Sequence, residues 1–101
     1  MSNYSVRFTK QAEFDLIRLF DFLLEEADLS TAERALSAIS EATNLLSFSP
    51  FSCRKSVSNL PRHREIVIPF GNTGYVAFFE INDAKTVTIL AVRHQREADV
   101  W

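Results

Sequence analysis

The chain is poor in the residues that bridge, loosen or break a backbone. Its 101 residues include one cysteine, two glycines and three prolines. The lone Cys53 excludes an intramolecular disulfide and any cysteine-based zinc cluster. Scarce glycine and proline leave little irregular chain, so loops should be short. Long apolar runs are also missing, because Arg18 and Asp21 interrupt the apolar residues of 16–24 and rule out a membrane span there. The N-terminus has no basic start followed by an apolar stretch, so no secretory signal is expected and the cytoplasm is the expected compartment.

What is present suits one folded domain over residues 1–101. The chain is 47% hydrophobic and has nine phenylalanines, enough for a core and unlike a disordered sequence. Net charge is −2 and unevenly spread. Residues 1–48 hold four Lys/Arg against eight Asp/Glu, whereas residues 49–101 hold seven against five. The second half is therefore the one expected to meet an anionic partner, although a dedicated nucleic-acid binder usually carries more positive charge.

Residues 4–8, YSVRF, alternate like a short strand. Thr9 offers a helix N-cap, and Leu16, Ile17, Phe20, Leu23, Leu24 and Ala27 then fall at helical spacing. Phe14 and Phe22 widen that helix's apolar arc. Ser30 to Glu33 has the spacing of a capping box, followed by Ala32, Ala35, Leu36, Ile39, Ala42 and Leu46 at helical spacing. So short a link between two helices predicts an antiparallel hairpin. After Pro50 and a polar stretch, residues 64–69, 74–81 and 86–93 read as an antiparallel meander turning at Gly71-Asn72 and Asn82-Asp83. In the last run Val87, Ile89 and Ala91 should face opposite Leu90 and Val92. The fold expected is α+β, in the order β-α-α-β-β-β. A hairpin covers one face of such a sheet, so the C-terminal tail, a second copy or a partner should cover the other.

Little of the usual chemistry is visible. Gly71 and Gly74 have the wrong spacing for a phosphate loop, and no helix follows them. His63 and His94 stand at the ends of different strands without Cys or carboxylate at ligand spacing, so neither metal nor cofactor is expected. Arg54 and Lys55 beside Cys53 would favour a thiolate, though a lone surface cysteine is more often incidental. The remaining polar set is Arg54, Lys55, Arg62, His63 and Arg64, with Arg93, His94 and Arg96 after the last strand. It reads either as a solvated basic rim or as a grip for phosphates or carboxylates. Trp101 needs something to pack on.

The opening YSVRFTKQAEFDLIRLFDFLLEEA, then RHREIVIPF, GYVAFFEI and VTILAVRHQRE, together resemble the RelE/ParE superfamily of toxins from bacterial type II toxin–antitoxin pairs. The likeness covers essentially the whole chain, and the closing strand with Arg93, His94 and Arg96 is most like the ParE branch. ParE-like members inhibit DNA gyrase and are not nucleases. RelE-like members cleave messenger RNA on the ribosome. The ParE resemblance implies a target-facing set of Lys55, Arg93, His94, Arg96 and Trp101, with Trp101 alternatively folded over the bare sheet face. The RelE alternative implies phosphate grips at Lys55, at Arg62 or Arg64, and at Arg93, with His94 moving a proton. Carboxylates at Glu97 and Asp99 and a net charge of −2 suit a gyrase inhibitor better than a ribosomal nuclease. Either branch implies a cognate antitoxin lying along the helical hairpin and sheet edge, with Phe14, Phe20 and Phe22 as its contacts. A homodimer and a heterotetramer with the antitoxin stay open, as does a copy that binds antitoxin without being toxic.

Overall fold

The computed structural model describes residues 3–56 and 60–95. Its elements are β1 (Ser5–Phe8), α1 (Lys10–Glu26), α2 (Leu29–Leu45), a 3-10 turn (Pro50–Ser52), β2 (Arg54–Lys55), β3 (His63–Phe70), β4 (Thr73–Ile81) and β5 (Thr86–His94). The two helices pack on one face of a five-stranded sheet in the order β1-β5-β4-β3-β2. The expected α+β order is present, with the two-residue strand β2 added. The sheet is antiparallel except where β1 runs parallel to β5. None of the described helices is long and apolar enough to cross a membrane.

Thr9 caps α1 as its position predicts: the Ala12 N–H donates to Thr9 Oγ1 at 3.0 Å. The cap of α2 differs from the expected one. Asp28, rather than Ser30, accepts from the Thr31 N–H at 2.7 Å, and Ser30 lies inside the helix. A carboxylate at a helix start also meets the positive end of the helix dipole, which a serine hydroxyl exploits less.

The core joins Ala12 and Leu19 of α1 and Ala35 and Ile39 of α2 to Ile68, Phe79, Ile89 and Val92 of the sheet. In β5 the expected alternation breaks. Phe78 pairs with Ala91 and Phe79 with Ile89, leaving Leu90 as an extra residue. Val92 therefore joins Val87 and Ile89 in the core, while Ala91 lies beside Phe78 on the other face. At the hairpin of β3 and β4, Gly74 is held by crowding: a Cβ there would lie 2.3 Å from the Ile68 carbonyl oxygen.

The sheet face turned away from the helices carries Val67, Val76 and Phe78, and Val76 on it is buried. The tail, one of its three expected covers, lies outside the described residues, as do Arg96 and Trp101.

Candidate functional site

The inner stripe of α1 runs through Ala12, Asp15 and Leu19, with Leu16 and Leu23 beside it. It is rotated from the expected stripe, so Ile17 and Leu24 turn outward, Ile17 to 57% exposure. The helix has more apolar residues than the sheet can cover. Leu16, Ile17 and Phe20 face Leu36 of α2 across an almost wholly apolar groove of about 420 Å³, with Glu13 at its rim. Phe14 and Phe22 are 66% and 60% exposed but do not line it. Phe14 precedes Ile17 by one helical turn and flanks the groove; Phe22 lies roughly 140° around the helix from Ile17.

A second groove, about 460 Å³, lies between α2 and strand β3, over Ala38, Ala42 and Leu45 on one side and Ile66 and Ile68 on the other. Beside it, β2 pairs with β3 only at Arg64 and Glu65. The Ser56 N–H donates to the His63 carbonyl at 3.2 Å. With the antiparallel period of two, the backbone groups of His63, Glu65 and Val67 therefore point to the outer edge. Past Glu65 that edge offers the Val67 N–H and C=O, while Pro69 contributes no donor.

The end of β5 is built around a charge that the sequence reading passed over. Asp15 is 2% exposed and accepts the Val92 N–H at 2.9 Å. The Arg93 guanidinium bonds to the same carboxylate oxygen. Gln11 Nε2 donates to the other oxygen at 3.0 Å. The available signal was the helical spacing of Ala12, Asp15 and Leu19, which places a carboxylate at the centre of an apolar stripe. Arg93 is consequently an ion-pair partner inside the fold, with its side chain 17% exposed. His94 Nε2 shares a hydrogen bond with Thr73 Oγ1 at 3.0 Å and meets the Tyr75 ring edge-on, at 5.7 Å between centroids. Burial pushes the Tyr75 phenol above its ordinary pKa, so it stays protonated there.

The other cations stand at the far end of the sheet. Arg62 Nη1 donates to the Asn82 carbonyl at 2.7 Å. Arg64 Nη1 donates to the Cys53 carbonyl at 2.9 Å, and its guanidinium lies 5.6 Å from the Phe51 ring centroid. Arg54 holds the buried Glu65 through Nε and Nη2, at 2.6 and 2.5 Å. Lys55 is exposed on β2, across from Arg64. Along β4, Arg64 pairs with Phe79 and His94 with Tyr75, four residues apart. That separation is roughly 13 Å. The structure therefore divides the ribonuclease candidates between two ends of the sheet and does not converge them on one reacting atom.

Cys53 is half-buried, and burial pushes its thiol above the ordinary value, with Arg64 only partly opposing. The thiolate suggested by its basic neighbours is therefore not the resting form. Among the described residues, no three His, Cys, Asp or Glu side chains gather as a metal site.

A solved structure titled "Chromosomal ParDE TA system from P. aeruginosa" is similar to this chain, with a TM-score of 0.75 and 21% identity over 90% of this chain and 95% of that one. At that identity the likeness speaks for the fold. No curated protein matches the sequence. A family model described as the ParE toxin of the type II toxin-antitoxin system, parDE, matches residues 6–99. The chain thus belongs to the ParE family of type II toxin–antitoxin toxins.

Proposed function

We propose that this ParE-family chain inhibits DNA gyrase in the cytoplasm and that a cognate antitoxin neutralises it. The observation that carries the reading is the division of the cationic set. A ribonuclease needs its phosphate grips and its proton carrier within reach of one scissile bond. Here Arg62 and Arg64 are bonded at one end of the sheet, and Arg93 and His94 are bonded at the other. Inhibition through a protein surface asks for no such convergence. In this reading the target meets the end of the sheet that carries His94, with Arg96 and Trp101 as further contacts, while Lys55, across from Arg64 at the far end, stands apart from that surface.

The antitoxin's place is the groove of Leu16, Ile17, Phe20 and Leu36. An amphipathic helix seats apolar side chains in such a channel at one-turn intervals. Phe14 borders that path, whereas Phe22 lies to the other side of α1. An extended continuation fits the second groove and the open edge at Val67.

The test is induction of the chain alone in a bacterium. Cleaved DNA–gyrase complexes with intact messages are the expected result, relieved by the co-expressed antitoxin. Fragmentation of translated messages, without gyrase complexes, contradicts the proposal.

A further inference from the structure

Strand β1 covers β5 only over residues 86–89. Among the described residues, no strand lies on that side of β5 beyond Ile89, since β1 occupies the edge of the sheet. An uncovered strand edge leaves amides and carbonyls that need partners. Here α1 supplies them one after another. The Thr9 N–H donates to the Ile89 carbonyl at 3.0 Å. Thr9 Oγ1 donates to the Leu90 carbonyl at 2.9 Å. Asp15, six residues further on, accepts the Val92 N–H at 2.9 Å. The start of the helix thereby stands in for the missing length of strand.

Asp15 differs from the other two contacts in being charged and almost wholly buried. A buried carboxylate is tolerable only when its oxygens are bonded and its charge is paired. Gln11 and Arg18 attend Oδ1, at 3.0 and 3.7 Å. The Val92 amide and the Arg93 guanidinium attend Oδ2. The register places Arg93 opposite Val76, on the sheet face away from the helices. Its guanidinium therefore turns around the strand edge to reach Asp15, and Nη1 also donates to the Val92 carbonyl at 3.3 Å. Consecutive backbone and side-chain donors are fixed by one carboxylate at the point where the chain approaches His94.

We propose that Asp15 is a positioning residue for the target-facing end of β5, and that Arg93 serves inhibition through Asp15 and not by touching the target. The second half of this inference rests on the gyrase reading; the first half does not. Asp15→Asn keeps the shape of the side chain and removes the charge that pairs with Arg93. Arg93→Gln removes the other partner.

Two measurements on the full chain test it. In Asp15→Asn, amide exchange at Val92 should quicken about tenfold while the amides of β4 hold their protection, as expected when a charge-assisted bond becomes a neutral one. Unchanged exchange at Val92 overturns the positioning role. In a double-mutant cycle on gyrase inhibition, each single variant should weaken potency about tenfold and the double variant no more than that, because both remove one interaction. Antitoxin affinity at the groove should stay within about twofold. If Arg93→Gln costs as much in the Asp15→Asn background as in the native one, Arg93 touches the target and the inference fails. If the native chain leaves gyrase untouched, the proposed function falls instead, and exchange at Val92 alone decides the role of Asp15.

Discussion

Thr9 and Leu90 are 81 residues apart in the chain and share one hydrogen bond, from the Thr9 hydroxyl to the Leu90 carbonyl at 2.9 Å. The same hydroxyl accepts the Ala12 N–H at 3.0 Å and so starts α1. Leu90 is the extra residue of the β5 bulge. One side chain therefore caps a helix and ties it to the irregular point of the central sheet.

Thr9→Ala should destabilise the protein by about 2 kcal/mol, combining a lost cap with a lost tertiary bond. Thr9→Ser keeps both roles of the hydroxyl and should recover most of that stability. Urea unfolding reads the difference as a shift of midpoint at constant slope. Equal midpoints for Thr9→Ala and the native chain would remove the hydroxyl from this account.

Thr9 also marks how far the sequence could be read. Its cap, the helical hairpin and the three long strands follow from spacing alone, because period and punctuation are local. The bulge at Leu90 was hidden. Alternation predicts faces only while every residue has a partner, and the extra residue exchanges the faces of Ala91 and Val92. Asp15 was passed over although its helical spacing with Ala12 and Leu19 was visible. Its burial depends on an uncovered edge of β5, which is a consequence of how short the parallel pairing with β1 is. The basic residues were visible, but their division between two ends of the sheet is fixed by the register of β3, β4 and β5.

Asp28 gives a pH-dependent signature. Its carboxyl is held below the ordinary 3.8, first by the side-chain bond with Thr31, then by the Thr31 backbone bond, with Arg34 adding a weaker attraction. A depressed folded pKa contributes stability that is present above the unfolded value and is lost as pH falls through the folded one. Asp28→Asn can still cap α2 but does not titrate. The native chain should therefore exceed Asp28→Asn in stability at pH 7, and the gap should close as pH drops below about 3.8. Thermal melts of both proteins from pH 7 to pH 2.5 check this, and a gap that widens in acid contradicts the assignment.

The groove makes a positional prediction about the antitoxin. Ile17 lines it and is more than half exposed, so Ile17→Glu should leave the fold intact and weaken antitoxin binding at least tenfold, roughly 1.4 kcal/mol or more. Phe22→Glu, on the other side of α1, should change affinity less than about threefold, well under 1 kcal/mol. Titration calorimetry with the cognate antitoxin separates the two. Equal losses from both substitutions would move the binding face around the helix.

The most direct measurement is supercoiling of relaxed plasmid by purified gyrase in the presence of the purified chain, with and without its antitoxin. The account predicts that the chain stops supercoiling and that an equimolar antitoxin restores it. Undiminished supercoiling, with cleavage of messages on translating ribosomes by the same preparation, would contradict the account and return Arg62, Arg64, Arg93 and His94 to consideration as a catalytic set.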